Sequence, residues 1–320
     1  MLKFTIRRLL VSFPQLIILS LLIFFLASLM PGDALSGVID PNIPAEAIER
    51  QREMLGLNNP WYIQYKDWVV NMLQGDFGNS YFKKQPVLDV IGDRLMNTVW
   101  LSLFSAVLIY LIGLPLGLVS GRYNDTFLDS VITGYTYLGF ATPTFMFGLL
   151  MLLVFGYNLG WFPTSGSVDA KVTPGTFEYV ISKMYHLVLP AFSIALIGLV
   201  GTVQYLRSGI IETKQKDYVT LARAKGVSES KVYTKHIFRN SIIPIAAFFG
   251  YEITGLLGGS IFIEQIYAYP GMGRLFLESI STRDFSVANV LILMYGFLAI
   301  VGALLSDIIL SIVDPRIRIK

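Results

Sequence analysis

The sequence predicts an all-α polytopic membrane protein with six transmembrane helices and with both termini in the cytoplasm. Three observations lead to this fold class. Hydrophobic residues make up 54% of the 320 residues, charged residues make up only 15%, and the mean hydropathy is +0.60. Long intervals without any charged residue separate the charges, and the basic residues concentrate in alternate loops.

The low content of charged residues excludes several classes of protein. A soluble chain carries about 25% charged residues, so this chain lacks the charge to cover an ordinary water-exposed surface. A soluble enzyme, a disordered protein and a secreted disulfide-rich domain are therefore excluded. The chain also has no cysteine, which removes a thiolate metal site, a cysteine nucleophile and a thiol redox switch.

The uncharged intervals locate the spans, because a bilayer core needs about 20 apolar residues of helix. Five intervals lack Asp, Glu, Lys and Arg, and a further apolar stretch contains only two glutamates. We expect spans at about residues 9–30, 96–120, 131–158, 184–206, 243–266 and 287–312.

The end of the third span and the nature of the first span do not follow from the uncharged intervals alone. The uncharged interval 131–168 is too long for one helix, and the turn signal Gly160-Trp-Phe-Pro-Thr-Ser-Gly166 places the end of the span near Asn158. The first span follows three basic residues, as a signal peptide would. Its apolar part exceeds the roughly 7–15 residues of a signal peptide and more spans follow, so we expect an uncleaved helix.

The loop charges predict the orientation. With the N-terminus in the cytoplasm, the cytoplasmic segments hold 15 Lys and Arg residues, and the two short external loops hold 4. The positive-inside rule counts Lys and Arg in short loops and discounts long ones. The long external segment is therefore left out of the comparison, and the bias supports cytoplasmic termini.

Two loops are large enough to have structure of their own. The external loop 31–93 contains helical runs at 45–55 and 61–73, so we expect a small folded cap. We accordingly divide the chain into residues 1–93, a membrane core at 94–313 and a cytoplasmic tail at 314–320. Within the core, the cytoplasmic loop 207–242 carries eight basic residues.

Prolines and glycines lie in or beside most of the spans. We interpret the glycines at four-residue spacing as sites of close helix packing, since small residues let backbones approach. Kinked helices that build a pathway able to change shape are an additional interpretation, and the two are compatible. The residues are Pro14, Pro115, Pro143, Pro190, Pro244, Gly113, Gly117, Gly121, Gly255 and Gly259.

Three acids lie within or near the predicted spans. A carboxylate inside a membrane is costly when it faces lipid, so it should face the bundle interior or water. Glu264 and Asp307 lie near span ends, and we expect structural roles for them. Glu252 lies deeper, where it either lines a substrate path and attracts a cationic group or makes a buried hydrogen bond to a neighbouring helix.

The cytoplasmic loop has the pattern of helix, turn and helix. Gly226 suits a left-handed C-terminal cap of the first helix, and Ser228 suits the N-terminal cap of the second. A basic pattern of this kind also occurs in DNA-binding helix-turn-helix motifs. Both ends of this stretch, residues 217–236, continue within a few residues into membrane spans. We therefore expect no nucleic acid and instead a rigid elbow, formed by these residues, that fits a cleft on a partner protein.

The elbow resembles the coupling loop of ABC-importer permeases. Ala222, Gly226 and Ile243-Pro244 match the general pattern, whereas Thr220 and Leu221 stand where that pattern has Glu and Ala. These departures are typical of the oligopeptide, dipeptide and nickel subfamily. Ala-Arg-Ala-Lys-Gly recurs there, as at 222–226, and so does Arg-Asn-x-x-x-Pro, as at 239–244.

Other stretches resemble the B-type permease subunit of oligopeptide and dipeptide ABC importers. Leu55-Gly-Leu-Asn-Asn-Pro60 and Gln74-Gly-Asp-Phe-Gly-Asn-Ser80 are similar to its external loop. Tyr269-Pro-Gly-Met-Gly-Arg-Leu275, Arg283-Asp284 and Asp314-Pro-Arg316 are similar to its end. The resemblance covers nearly the whole chain.

The resemblance implies the type I ABC importer permease fold and peptide import across the cell membrane. It also implies a homologous C-type permease, two cytoplasmic ATPase subunits and an extracytoplasmic peptide-binding protein as partners. The residues implied for the ATPase-coupling helix are Asp217, Tyr218, Leu221, Ala222, Arg223, Ala224, Lys225 and Gly226.

The resemblance also implies how this helix works. Arg223 and Lys225 are expected to pair with acids on the ATPase or to be ordinary solvent-facing charges. A bulky charged substitution at Ala222 or Gly226 is expected to uncouple ATP hydrolysis from transport without unfolding the spans.

The chain itself is expected not to be an enzyme. It has no Gly-x-x-x-x-Gly-Lys-Ser/Thr loop, so ATP and Mg²⁺ are expected in the partner ATPases and no cofactor or metal in this chain. His186 and His236 are the only histidines and are predicted on opposite sides of the membrane. Neither a Ser–His pair nor a carboxylate dyad follows from the spacing, which disfavours an intramembrane protease.

Three other functions stay open. A nickel or glutathione importer would have the same architecture. A secondary transporter would need inverted repeats and an ion site of its own, and the sequence shows neither clearly. A structural scaffold or receptor would move no substrate.

Overall fold

The computed structural model describes residues 2–29, 44–54, 56–258 and 260–314. The first part of the expected external cap, residues 31–43, lies outside the described residues, as do Leu55, Gly259 and the tail beyond Asp314. The chain divides into two units. One comprises Met1–Thr98 with Pro270–Ile300, and the other comprises Val99–Tyr269 with Val301–Lys320.

The first unit contains the N-terminal helices, a small hairpin and the helices near the C-terminal end. Its elements are α1 (Leu2–Ser28), α2 (Ala45–Met54), α3 (Trp61–Leu73), β1 (Asn79–Ser80), β2 (Gln85–Pro86), the start of α4 (Val87–Arg122), α13 (Met272–Ser281) and the first part of α14 (Phe285–Val313). The two strands pair antiparallel, with Asn79 opposite Pro86. The helical runs expected at 45–55 and 61–73 are confirmed as α2 and α3.

Helix α3 packs on α1. The ring of Phe24 lies 5.6 Å from Tyr65 and 5.9 Å from Trp68, and Ser20 shares a 2.8 Å hydrogen bond with the Tyr65 hydroxyl. A cap helix is therefore fixed by aromatic contacts to the first apolar helix.

A separate core joins the start of α4 to α13 and α14, and its buried residues are Val87, Val90, Ile91, Met272, Leu275, Val287, Val290 and Leu291.

The second unit contains the largest cluster of buried hydrophobic residues among the described residues. Its further elements are α5 (Phe127–Ala141), α6 (Thr144–Met151), a π-helical segment (Leu152–Asn158), α7 (Phe177–Lys214), α8 (Asp217–Ala224), α9 (Glu229–Lys231), a second π-helical segment (Val232–Phe238), α10 (Arg239–Ser241), α11 (Ile243–Leu257) and α12 (Ile261–Ile266). Helix α7 lies at the centre, with many fully buried positions along its length.

Glycines make the contact between α4 and α7 close. A Cβ at Gly117 would lie 2.9 Å from the Leu206 Cβ, and a Cβ at Gly121 would lie 2.7 Å from the Ile210 Cβ. A Cβ at Gly113 would meet Leu199 at 3.3 Å. The predicted role of this four-residue glycine series in close packing is therefore confirmed.

The second glycine pair behaves differently from the prediction. A Cβ at Gly255 would meet nothing within 4 Å, so the prediction of close packing there is wrong. The close approach occurs instead at Gly250 of α11, where a Cβ would collide with the carbonyl oxygen of Gly302 in α14. Small residues on both helices permit this contact, and spacing within one helix could not reveal the partner.

The expected span 131–158 is a broken pair of helices, which differs from the single helix expected. Helix α5 ends at Ala141 and α6 begins at Thr144, with a bend of 106° between α5 and the segment that runs to Asn158. Pro143 lacks a backbone N–H, and the residue before a proline favours an extended backbone, as Thr142 has. Tyr267 also donates a hydrogen bond to the Gly148 carbonyl, which helps to hold α6.

Within the part of the chain that the structure describes, four helices are long and apolar enough to cross a membrane, and the bent pair would make five. The four are Val87–Arg122, Phe177–Lys214, Ile243–Ile266 and Phe285–Val313, and they cover the spans expected at 96–120, 184–206, 243–266 and 287–312. The apolar part of α1, Leu10–Leu26, is shorter.

Candidate functional site

Helix α8 is the helix expected to couple this chain to a partner. Asp217 lies in its first turn, where a negative charge interacts favourably with the helix dipole. The helix ends in a Schellman motif. The Val227 N–H donates to the Ala222 carbonyl at 3.2 Å, and the Gly226 N–H donates to the Arg223 carbonyl at 2.9 Å. Gly226 has φ +75°, so the predicted left-handed cap is confirmed.

The second half of the elbow differs in detail from the prediction. A second helix follows as α9, but the Ser228 hydroxyl makes no capping hydrogen bond. Most of this half is the π-helical segment that begins at Val232. The helix, turn and helix pattern is present, and Ser228 occupies the predicted N-cap position without a side-chain capping hydrogen bond.

The inner face of α8 is buried. Val219 and Ala222, three residues apart, lie on this face and join a hydrophobic cluster with Leu206 and Ile210 of α7. Other members of the cluster come from the second half of the elbow and from α11, namely Val232, Tyr233, Ile237 and Ile245. Ala222 therefore supports the elbow from within, so a charged substitution there should disturb the elbow itself. Whether it uncouples ATP hydrolysis from transport while the spans stay folded remains a prediction.

The outer face of α8 exposes two large apolar side chains. Tyr218 is 41% exposed and Leu221 is 55% exposed. They lie three residues apart, so they project from the same side of the helix. Together they form a small exposed apolar patch on a helix whose inner face is buried. The remaining expected residues, Asp217, Arg223, Ala224, Lys225 and Gly226, are exposed as well.

Arg223 has a partner within the elbow. Its Nη2 lies 2.7 Å from Oε1 of Glu229 and its Nε lies 3.2 Å from Oε2, so the pair is bidentate. The hydrogen bonds from Arg223 hold the pKa of Glu229 below its usual range. The arginine thus joins the two halves of the elbow, and its pairing with acids on another protein stays a prediction, as does that of Lys225.

An ion pair that the sequence did not indicate lies at the base of the elbow. Arg207 of α7 donates from Nε and Nη2 to the two carboxylate oxygens of Asp129, each at 2.7 Å. Ser120 of α4 donates to the same carboxylate at 2.5 Å, and Asp129 is only 3% exposed. Three helices therefore meet at one buried carboxylate. The partners are far apart in sequence, so no local pattern signals them.

A second set of contacts ties the elbow to the end of α4. Lys214 donates to the Gly121 and Arg122 carbonyls, each at 3.2 Å, where the last carbonyls of a helix lack partners within the helix. The Arg122 guanidinium lies 4.8 Å from the centre of the Tyr233 ring, a cation–π contact. The elbow is thus attached to α4 as well as to α7.

Glu252 makes a hydrogen bond to a neighbouring helix and also lines a cavity. Tyr110 of α4 donates a hydrogen bond to Oε2 of Glu252 on α11. Glu252 also lines a cavity of about 300 Å³. The other lining residues are Thr202, Tyr205, Ile245, Phe248 and Tyr251. The hydrogen bond to a neighbouring helix is therefore present, and a role of Glu252 in a substrate path stays a prediction.

The other two acids near the membrane differ in burial. Glu264 of α12 is fully buried, while Asp307 of α14 is partly buried. Neither lines the cavity at Glu252. Their structural roles stay predictions.

Comparison with protein families identifies the chain. Residues 113–319 match the family described as binding-protein-dependent transport system inner membrane component. Residues 1–102 match the corresponding N-terminal family of the same transport-system membrane component. The two matches cover almost the entire sequence, so they do not depend on one short motif.

Relatives similar over their full length agree with this assignment. The chain is 40% identical over 319 residues to the oligopeptide transport system permease protein AppB of Bacillus subtilis strain 168, covering 99% of this chain and 100% of the relative. It is 33% identical over 320 residues to the glutathione transport system permease protein GsiC of Escherichia coli strain K12, covering 100% of both chains.

A solved structure of the MetNI methionine ABC transporter, in inward-facing conformations, has a similar fold. The TM-score is 0.56 at 13% identity, and the similarity covers 71% of this chain and 97% of that chain. Identity at this level supports the fold alone. Together with the apolar helices, these matches show that the chain is a multi-pass membrane protein that belongs to the family of binding-protein-dependent transport system inner membrane components.

Proposed function

We propose that this chain forms one half of the membrane pathway of an ATP-driven importer that carries peptides into the cytoplasm. The full-length similarity to an oligopeptide permease protein supports the substrate class. The outer face of α8 supports the proposed coupling to an ATPase, because it exposes two apolar side chains on a helix whose inner face is buried.

In this proposal the chain has the type I permease fold with six spans and cytoplasmic termini. The spans are α1, α4, the bent pair of α5 and α6, α7, the pair of α11 and α12, and α14. The segments placed in the cytoplasm hold 15 Lys and Arg residues, whereas the short external loops hold 4. This difference supports the orientation. The elbow then lies on the cytoplasmic side.

The partners follow from the family. A second, C-type permease completes the pathway, two ATPase subunits bind ATP and Mg²⁺, and an extracytoplasmic binding protein delivers the peptide. The chain itself binds no nucleotide and catalyses no reaction. Tyr218 and Leu221 enter a groove of one ATPase subunit, and the remaining exposed residues of α8 surround this contact.

Closure of the ATPase pair pushes the elbow and changes the arrangement of the spans. The buried base of α8 passes the displacement to α7. The Asp129 carboxylate, held by Arg207 and Ser120, passes it to α4 and α5. ATP drives this change only if it binds one arrangement more tightly than the other, because a ligand shifts an equilibrium by its differential affinity.

Glutathione is a second candidate substrate. The glutathione permease protein of Escherichia coli is similar over its whole length, at 33% identity. Glutathione is itself a small peptide, so the same pathway chemistry suits both substrates. A nickel importer stays an alternative from the sequence without a particular structural observation in its favour.

Uptake by the reconstituted complex tests the proposal. The complex of both permeases, the ATPases and the binding protein is placed in liposomes, with labelled trialanine, glutathione or Ni²⁺ offered on the side of the binding protein. We expect ATP-dependent uptake of trialanine. Uptake of glutathione or of Ni²⁺ without uptake of trialanine would show that this compound, and not a peptide such as trialanine, is the substrate.

Matched controls separate the other classes of function. Uptake driven by an ion gradient without ATP would show a secondary transporter. A scaffold would move none of the three substrates in the complete complex, although it would still assemble with its partners. Either result would overturn the proposed function.

A further inference from the structure

We propose that the cavity beside Glu252 binds the ammonium group of the transported peptide. This inference rests on the proposed function and specifies the part of the substrate that this chain recognises. The cavity lies between α7, which contributes Thr202 and Tyr205, and α11, which contributes Phe248, Tyr251 and Glu252.

The lining has the composition of a cation site. Tyr205, Phe248 and Tyr251 are each about half exposed, so their rings are accessible from the cavity side of the chain. The Tyr205 and Phe248 rings stack with their centres 5.8 Å apart. The faces of aromatic rings attract cations. Among the described residues that line the cavity, Glu252 is acidic and none is basic.

The cavity is partly open and has a volume of about 300 Å³. An ammonium group can therefore enter it and reach Glu252 while the rest of the peptide extends out of the opening. In this proposal the cavity is a subsite for one end of the substrate.

Tyr110 is a positioning residue in this site. It donates to Oε2 of Glu252 from the neighbouring helix α4, and its ring packs 5.0 Å from Phe249. The hydrogen bond fixes the direction of the carboxylate. A carboxylate accepts several hydrogen bonds, so an ammonium group can bind while Tyr110 stays in place. Tyr110 is outside the cavity lining and contacts the substrate only through Glu252.

The experiment compares two substrates that differ in the ammonium group alone. Liposomes with the complete complex take up labelled trialanine or its desamino analogue, and Glu252→Gln is compared with the unaltered chain. Taking the ratio of variant to unaltered chain for each peptide cancels any preference of the binding protein. We expect Glu252→Gln to lower trialanine uptake about tenfold, as for loss of a desolvated charged contact, and to leave uptake of the analogue unchanged.

Further variants control for folding and for charge. Glu252→Asp should retain most of the trialanine uptake, because it keeps the carboxylate. Glu178→Gln makes the same change at an exposed carboxylate at the start of α7 and should have no effect. Tyr110→Phe should raise the KM for trialanine while the analogue is unaffected. The thermal midpoint of each purified complex reports whether the variant is folded.

Three results would overturn the inference. The first is unchanged trialanine uptake in Glu252→Gln. The second is an equal fall for both peptides, which indicates that Glu252 and the aromatic residues support structure or a contact with the second permease. The third is a fall in trialanine uptake in Glu252→Asp as large as that in Glu252→Gln, because the carboxylate would then not be the group that matters. The proposed function survives all three, because it fails only if the unaltered complex shows no ATP-dependent peptide uptake.

Discussion

The two faces of α8 have opposite surroundings. Val219 and Ala222 on the inner face are buried among side chains of α7, α11 and the second half of the elbow. Tyr218 and Leu221 on the outer face have 41% and 55% of their surface exposed. A helix of eight residues is too short to be stable by itself, so the inner face holds the helix in place. The outer face is then available for a partner.

This difference means that folding and coupling depend on different residues of one helix. Substitutions on the inner face should destabilise the elbow, while substitutions on the outer face should change only what the elbow transmits.

Ala222→Glu should cause the largest change. The substitution places a carboxylate without a partner in an apolar cluster, which costs about 3 kcal/mol or more. We expect the elbow to lose its structure while the membrane helices remain folded. Hydrogen exchange of the complex should show faster exchange of the amides at 217–238 than in the unaltered chain.

Ala224→Glu is the matched control, because Ala224 lies on the same helix and is exposed. In Ala224→Glu, the amides at 217–238 should be as well protected from hydrogen exchange as in the unaltered chain. Equal protection in Ala222→Glu and Ala224→Glu would show that the inner face does not hold the elbow.

The ion pair between Arg223 and Glu229 should contribute a smaller, pH-dependent effect. Both side chains are more than a third exposed, so the pair is worth less than about 1 kcal/mol. Because Arg223 lowers the pKa of Glu229 in the folded elbow, the stabilisation is present above the unfolded pKa of about 4.3 and is lost as pH falls through the lower folded value.

Hydrogen exchange of the elbow between about pH 3 and 6 checks this sign. The unaltered chain should lose more elbow protection on acidification than Glu229→Gln, after correction for the intrinsic exchange rate. A larger loss in the variant would mean that the pair does not stabilise the elbow.

The sequence predicted the first helix and turn of the elbow better than it predicted where a membrane helix breaks. The position of α8 and the left-handed Gly226 follow from local pattern, because capping depends on neighbouring residues. The break at Pro143 does not, since Pro14, Pro115 and Pro190 lie inside continuous helices. Apolar composition is the same for a straight and a bent helix, and tertiary contacts decide between them.

The candidate site shows the same limit. The sequence indicated Glu252 because an acid within an apolar stretch is unusual, but it could not indicate Tyr110, which is 142 residues away. The Asp129–Arg207 pair was missed for the same reason, with 78 residues between its members. Both sets of contacts are produced by packing between helices, which no spacing within a single segment records.

The most direct test of coupling through the outer face of α8 is the number of peptides imported per ATP hydrolysed. Tyr218→Ser with Leu221→Ser removes the two exposed apolar side chains, and Thr220→Ser is the control at another exposed position of the helix. Truncating central contact residues costs about 2 kcal/mol or more each. We predict that the ratio falls about tenfold or more in the double variant, with an unchanged thermal midpoint of the permease. An unchanged ratio in a fully assembled double variant would contradict coupling through this face.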